Sequence, residues 1–383
     1  MKFKTYPEDF VVEEVLKKDV LKDKGLYKVF KARKIDLESF YLKSLLEKTF
    51  NAKISFLGLK DKKSLSIFYF SAKGNIPNYI KFKNFSAELV GFSDKELNSY
   101  DLEKNNFKIT LRGIKERELN KIFQILEDIK KNGFPNYFDI QRLSSDVSSL
   151  FFSLLMKGNL KEAIKVHLLS LSPEGRKNLN RFKKYVKRFF DKPERILPYA
   201  PSDKDRETIK KLIKGDYRGI IEEIEEDLLK IYFEKFSSLI WDKCASKFLK
   251  KGKISFKKGF AIKIKNLFLF VPEIVNDEVK DILSESIFPV PGTERIPSHP
   301  EFEKILISEL KKENLSYPLK VPEFLENFSF KGFKRKLWVY PMDLSFDYDR
   351  EKLLLSFSLP PGSYATILLK ILMRRLNLRT SRQ

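Results

Sequence analysis

The chain has 383 residues, a length at which one hydrophobic core usually stops growing, so two domains or one domain with a large insertion are expected. An apolar fraction of 42% with 35 phenylalanines excludes a disordered chain. Lys and Arg outnumber Asp and Glu by 75 to 52, and a net charge of +23 suits a polyanion, nucleic acid before an anionic membrane.

One cysteine, Cys244, excludes an internal disulfide, and with His167 and His299 as the two histidines there is no His/Cys cluster for zinc. Neither histidine lies in a nucleophile motif, which points away from histidine-based catalysis. No apolar run has the length of a spanning helix, and the first ten residues lack the apolar core of a signal peptide. The expectation is a cytoplasmic protein with no membrane role.

Residues 10–15 read as a strand after Pro7, and residues 25–32 as a second. Asp36 is then placed to cap a helix with Leu37, Phe40, Tyr41 and Leu45 as its apolar face and Asn51 as its stop. Residues 54–57 and 65–70, rich in branched and aromatic side chains, predict strands joined by the segment 58–64, which carries Asp61. Phe107, Ile109 and Leu111 alternate with Lys108, Thr110 and Arg112, as in a half-buried strand. Leu119, Ile122, Phe123, Leu126 and Ile129 form a helical stripe, and Gly133 stands where a left-handed terminator belongs.

From about residue 144 to 250 the periodicity is mainly helical, with breaks at Pro193 and Pro198, and residues 254–271 suggest a hairpin containing Gly259. Leu353, Leu355, Phe357 and Leu359 restore a strand; Pro360, Pro361 and Gly362 turn it into a last helix ending at Arg374 and Arg375. This order fits a helical insertion inside a sheet-containing unit.

The segment Gly58-Leu59-Lys60-Asp61-Lys62-Lys63 sets one carboxylate among three lysines on a turn. It reads as a solvated turn, the commoner case for a charged turn, or as a carboxylate that neighbouring charge keeps ionised, the form that acts as a nucleophile. A second segment, residues 181–192, interleaves Arg181, Lys183, Lys184, Lys187, Arg188 and Lys192 with Phe182, Tyr185, Phe189 and Phe190. It is either a phosphate-gripping helix anchored by its aromatics or an ordinary basic surface helix. Lys331, Lys334, Arg335 and Lys336 and the tail 374–382 are similar candidates.

The Asp61 segment resembles the catalytic G-x-K-D-[KR] motif of the TruD family of tRNA pseudouridine synthases. Four more segments match in order: Lys4 with Pro7-Glu8-Asp9-Phe10-Val11-Val12-Glu13; Asn105-Asn106-Phe107; Asn136-Tyr137-Phe138 with Gln141-Arg142; and Leu359-Pro360-Pro361-Gly362-Ser363-Tyr364-Ala365-Thr366. The resemblance spans nearly the whole chain. It implies a mixed α/β (α+β) fold with a mixed sheet, in which both chain ends (residues 1–135 and 333–383) build the pseudouridine synthase catalytic domain around an inserted TRUD-type α/β domain (136–332).

It further implies that Asp61 is the nucleophile with Lys4 as its basic partner. Phe10, Asn105 and Tyr364 take substrate-contacting positions, and Phe107 packs against the target base. Read without the family, Phe107, Phe10 and Tyr364 are core or packing residues and Lys4 an exposed lysine. Lys60, Lys62, Arg142, Lys183, Lys187 and Arg335 are expected to face RNA. The implied enzyme needs no metal or cofactor, takes a tRNA, by family habit at uridine 13, and works as a monomer with no obligate protein partner.

Two departures stand out. Ser66 and Phe68 replace the family's threonine and glutamine, and the lost amide leaves open a non-catalytic RNA-binding descendant. Asp139, Leu143 and Ser144 replace glycine, phenylalanine and glycine at the start of the insertion. A carboxylate-metal nuclease is a more distant reading, because Asp61 is surrounded by lysines.

Overall fold

The computed structural model describes residues 2–58, 60–143, 146–171, 178–251, 256, 258–273 and 277–376. The chain opens with a 3-10 turn (Pro7–Asp9) and runs through β1 (Phe10–Leu16), β2 (Tyr27–Ile35), α1 (Ser39–Phe50), β3 (Lys53–Phe56), β4 (Leu65–Lys73), β5 (Tyr79–Phe82) and β6 (Phe85–Ser93). β7 (Leu102–Arg112), α2 (Leu119–Asn132) and the short β8 (Phe134–Pro135) follow. Then come α3 (Ile140–Leu143), α4 (Asp146–Met156), α5 (Leu160–Ser170), α6 (Leu179–Phe189), α7 (Asp203–Lys214), α8 (Tyr217–Glu222) and the long α9 (Glu226–Lys251). The hairpin β9 (Gly259–Ile264) and β10 (Leu267–Pro272), α10 (Asp277–Glu285), β11 (Ile287–Val290), α11 (Pro300–Lys312) and β12 (Phe333–Lys336) complete this middle stretch. Last are β13 (Trp338–Val339), β14 (Met342–Asp349), β15 (Lys352–Leu359) and α12 (Ala365–Arg375).

These elements form two compact units, one from both chain ends up to Asn136 and from Trp338, the other from Tyr137–Leu337. β12, expected with the second catalytic segment, belongs to the inserted unit because it pairs with β11, Phe288 opposite Arg335. The chain leaves and re-enters the first unit as neighbouring strands, since β8 pairs with β13.

The first unit is a nine-stranded mixed sheet in the order β14-β15-β7-β1-β4-β2-β6-β5, with β3 also on β4. Its one parallel pairing, β1 with β4, covers Val11↔Leu65 to Glu13↔Ile67. β2 occupies one edge of β4 over Leu65–Ala72, so β1 and β3 share the other edge, β3 starting at Phe70.

Alternation then sorts the side chains by face. Phe10, Val12 and Glu14 of β1 lie on the same face as Asn105, Phe107 and Ile109 of β7, Ser66 and Phe68 of β4 and Lys34 of β2. α1 covers the β2–β4 part of that face, burying Leu42 and Leu46 against Phe30, Ile54, Phe68 and Phe70. Toward the other edge Phe123 of α2 stacks on Phe346 of β14 at 4.7 Å. A smaller cluster around Val29, Leu57, Leu97 and Leu102 occupies the opposite face.

α1 departs from its expected start and face. Asp36 sits at φ 46° outside the helix, and Glu38 is the cap, accepting from Tyr41 N at 2.7 Å. With the first turn at Ser39, the buried stripe is Ser39, Leu42 and Leu46, leaving Phe40 and Tyr41 39% and 44% exposed. Gly133 does end α2, at φ 68°.

The inserted unit packs α4, α5, α9 and α11 around aromatic pairs such as Phe152 with Phe233 and Phe330 at 5.3 and 5.0 Å. The expected hairpin is β9 and β10, Ile264 opposite Leu267; residues 254, 255 and 257 of that expectation, with Leu59, Ser144 and most of the basic tail, lie outside the described residues.

Candidate active site

Asp61 lies on the loop between β3 and β4, whose backbone is clamped by buried polar side chains. The Lys60 N–H donates to Ser39 Oγ at 3.2 Å, and that hydroxyl donates to the Lys60 carbonyl at 3.1 Å. The Asp61 carbonyl accepts from Lys34 Nζ and from Ser64 Oγ, each at 2.8 Å. A hydroxyl has one proton, so the 2.8 Å contact between Ser64 and Ser66 runs from Ser66 to Ser64. Ser66, in the family's threonine position, thus supplies the hydroxyl that completes the chain.

Lys34 is buried, 1% exposed, and its Nζ also donates to the Leu37 carbonyl at 2.7 Å. Burial lowers its pKa to about 8, against the opposing pull of the nearby Asp61 and Glu38 charges.

The Asp61 carboxylate is held from a different direction. Lys4 Nζ binds Oδ2 and also lies 4.1 Å from the centroid of Phe10, a cation–π contact. Lys4 sits at φ 56°, a left-handed backbone that non-glycine residues rarely adopt and that recurs at functional sites. The other oxygen, Oδ1, takes no hydrogen bond among the described residues, and the Asp61 side chain is 21% exposed.

Phe10 meets Phe107 edge-on at 6.2 Å, and Phe107 stacks on Phe357 at 5.5 Å, because Val12, Phe107 and Phe357 are register partners on adjacent strands. The three rings form an apolar floor beside the carboxylate, with Phe107 only 6% exposed. Farther along the same face Glu14 and Asn105 stand opposite one another, and Lys60 reaches both: 2.6 Å from Nζ to Glu14 Oε1 and 3.0 Å to Asn105 Oδ1. Asn105 is also opposite Leu359, from which the turn to Tyr364 begins; Tyr364 is half-buried at the N-cap of α12.

The structure thus brings together Asp61, Lys4, Phe10, Phe107, Asn105 and Lys60, and corrects Lys60. Its side chain is 10% exposed and bound to a buried carboxylate, so it is not a surface phosphate contact. Lys62 is exposed on the loop. Phe68, whose ring packs on Phe56 at 5.3 Å, belongs to the core under α1, and every clamp on the Asp61 loop is made without an amide there.

Within the inserted unit Arg335 is buried, its guanidinium 3.8 Å from the centroid of Phe138 and 5.3 Å from that of Trp241, so it is a packing group and leaves the RNA-facing set. Arg142 is paired with Glu234 at 2.9 Å, and Lys183 donates to the Leu171 carbonyl at 2.7 Å; Lys187 is exposed. Asp139, in a glycine position of the family, accepts from Ile140 N at 2.7 Å at the start of α3. α6 buries Leu179, Phe182 and Val186, with Phe190 buried just past its end, and leaves a basic–aromatic outer surface. There Tyr185 stacks on Tyr199 at 3.7 Å, Arg181 lies 4.7 Å from Tyr199, and Arg188 and Arg195 lie 5.2 and 5.3 Å from Phe189.

The remaining reactive side chains have structural surroundings. His167 Nδ1 is 3.1 Å from Tyr232 Oη, His299 caps α11, and Cys244 is buried, which pushes its thiol pKa up. Among the described residues no three His, Cys, Asp or Glu side chains are grouped as metal ligands would be, and no helix is long and apolar enough to cross a membrane.

Sequence reading missed Glu14, Lys34, Ser39 and Ser64. The signal for two of them was present: Lys34 follows Phe30 and Ala32, and Glu14 follows Phe10 and Val12, in the buried phase of their strands.

A partly exposed carboxylate at the rim of an aromatic floor, with a fixed amide nearby, suits chemistry on a planar base removed from its stack. A family model for tRNA pseudouridine synthase D (TruD) matches residues 1–372. The "Probable tRNA pseudouridine synthase D 1" of Methanococcus maripaludis is 30% identical, the match covering 97% of this chain and 98% of the relative. The tRNA pseudouridine synthase D of Aquifex aeolicus is 28% identical, with 97% of both chains covered. A crystal structure from Methanosarcina mazei that bears the TruD name shares the fold, with a TM-score of 0.63 and 23% identity over 98% of this chain and 94% of that one. The chain belongs to the TruD family of tRNA pseudouridine synthases, a family of isomerases.

Proposed function

We propose that this enzyme converts one uridine of a tRNA, uridine 13, to pseudouridine with Asp61 as its nucleophile. The observation that carries this reading is the Asp61 carboxylate itself: one oxygen bound by Lys4, the other without a partner among the described residues, on a loop clamped from below. Such an arrangement favours a preorganised nucleophile over a solvated turn. The isomerisation breaks the N1–C1′ bond, turns the uracil and joins C5 to C1′, with a proton lost from C5 and one gained at N1. It conserves every atom of the nucleoside apart from that proton exchange. The detached base must stay held meanwhile, a task suited to the Phe10–Phe107 floor and Asn105.

RNA binding is assigned to Lys62, beside Asp61, and in the inserted unit to Lys187 with the arginines and stacked tyrosines of the α6 surface. Arginine and aromatic rings together serve phosphates and unstacked bases. The protein acts in this reading as a cytoplasmic monomer without an obligate protein partner. Phe68 had raised a non-catalytic alternative; as a core ring it no longer supports one.

The test is pseudouridine mapping, by carbodiimide labelling and primer extension, on a uridine-containing tRNA pool treated in chelator with wild type or Asp61→Asn. A stop at position 13 made by wild type alone supports the proposal. A stop elsewhere overturns the position, and one that survives Asp61→Asn overturns the nucleophile.

A further inference from the structure

A lysine ammonium carries donors and no acceptor. The 3.0 Å contact between Lys60 Nζ and the Asn105 side chain therefore fixes which end of the carboxamide faces which way. Oδ1 must turn to Lys60, because the opposite orientation would set N–H against N–H. Asn105 Nδ2 is left pointing away from the lysine, without a partner among the described residues.

Lys60 has little freedom to release this amide. Its ammonium is also bound at 2.6 Å by Glu14 Oε1, a fully buried carboxylate whose Oε2 accepts from Tyr69 N at 2.8 Å. That N–H lies on the edge of β4 between the residues paired with β1 and those paired with β3, where the ladder provides no carbonyl. Glu14 is thus pinned by the sheet, Lys60 by Glu14, and Asn105 by Lys60. Ser39 brackets the Lys60 backbone on both sides as well.

We propose that Lys60 is a positioning residue: it locks the Asn105 carboxamide with Nδ2 turned to the target uracil, so that one fixed donor serves a carbonyl of the base both before and after the base turns over. The proposal rests on the reading that Asn105 contacts that base. Uracil presents O4, N3–H and O2 along one edge, an acceptor–donor–acceptor pattern symmetric about the N3–C6 axis. Turning the ring about this axis exchanges N1 with C5, as the reaction requires, and exchanges O2 with O4. A donor bonded to one carbonyl of the uridine then meets the other carbonyl of the pseudouridine. A carboxamide flipped the other way would present an acceptor to an acceptor in both orientations. Cytosine lacks the symmetry, because the same turn replaces a carbonyl with an amine.

The experiment follows tritium release from tRNA carrying uridine labelled at C5, in single turnover at saturating enzyme, with tRNA affinity measured separately. It compares wild type, Lys60→Met, Asn105→Asp and the double variant. Loss of a positioned group costs on the order of tenfold to a hundredfold in rate. Lys60→Met is expected to show a loss of that size with tRNA affinity held within about twofold, and Asn105→Asp a similar loss. Adding Lys60→Met to Asn105→Asp should cost less than about threefold more, the non-additivity of residues acting as a unit.

Weakened tRNA binding with an unchanged rate would make Lys60 a phosphate contact and overturn the proposal. Fully additive losses would overturn it too, since Lys60 would then act other than through Asn105. Asn105→Asp turning over at the wild-type rate would instead sink the base-contact reading beneath it. Should Lys60→Met not fold with Glu14 left unpaired, Glu14→Gln/Lys60→Met removes both charges and is judged by the same outcomes.

Discussion

A protonated lysine brings three N–H groups, and the surroundings of Lys34 offer it two carbonyls, those of Leu37 and Asp61. The neutral amine, with two N–H groups, can keep both bonds, which agrees with a pKa lowered by burial to about 8. In the unfolded chain the group titrates near its ordinary 10.5, so between those values the unfolded state binds more protons and stability rises with pH. Wild type should therefore gain up to about 3 kcal/mol over Lys34→Met between pH 8 and pH 10.5, at 1.36 kcal/mol per pKa unit. Urea unfolding at a series of pH values measures this, and a difference that stays flat across the window would show that Lys34 keeps its proton in the folded state throughout, so that burial does not lower its pKa. Neither Lys34 nor Glu14 was singled out from sequence, whereas Asp61, Lys4, Phe10, Asn105 and Phe107, which the structure groups together, were. A motif names residues that touch substrate; it is silent on residues that hold the loop from beneath. Their signal is a charge in the buried phase of a strand, which a reading confined to apolar periodicity passes over. Ser66 gives a further check, since its role is to supply a hydroxyl to Ser64. Ser66→Thr should keep the wild-type turnover rate, while Ser66→Ala should lower it about tenfold, as for a disturbed positioning contact; equal rates for both would remove the hydroxyl chain from the account.

Strands were the most legible elements, because β7 and β15 alternate cleanly and their apolar residues meet as register partners, Ile109 with Leu355 and Leu111 with Leu353. α1 was misread for a physical reason. Its sequence holds more apolar residues than one face can bury, and the start at Ser39 rather than after Asp36 selects Leu42 and Leu46, turning Phe40 and Tyr41 outward. The end of α2 was read correctly from one glycine, and the structure shows why no other residue fits. Gly133 sits at φ 68° and ψ −164°, and a Cβ there would lie 2.5 Å from Trp338 Nε1 and 2.6 Å from the Val339 carbonyl. Trp338 cannot retreat easily, because Nε1 donates to the Asn132 carbonyl at 2.7 Å. Gly133→Ala should therefore destabilise the first unit by about 2 kcal/mol or more, combining backbone strain with the clash. Thermal unfolding would detect this as a clear drop in the midpoint; an unchanged midpoint would mean that β8 and β13 shift apart at little cost.

The chain as a whole joins a sheet unit made from its two ends to an inserted unit that begins at Tyr137 and ends at Leu337. From sequence the return was expected at residue 333, whereas the second segment of the sheet unit starts at Trp338. β12 is basic, and what decides its membership is the pairing with β11, which strand composition does not reveal. The same limit applies to its charge: Arg335 reads as a surface cation, yet it is a core group stacked on Phe138. Among the basic residues in the inserted unit, those on the outer side of α6 combine exposure with stacked aromatic neighbours, as a contact to phosphates and unstacked bases requires. If α6 holds RNA while Asp61 performs the chemistry, binding and turnover separate by mutation. Lys187→Gln and Arg188→Gln should each flatten the dependence of log affinity on log salt by roughly 0.7 to 0.9, the contribution of one released counterion, and leave the rate at saturating tRNA unchanged. Asp61→Asn should do the reverse, abolishing turnover with the salt slope intact. A salt slope that the α6 substitutions leave untouched would return that helix to an ordinary basic surface and move the grip on RNA elsewhere in the molecule.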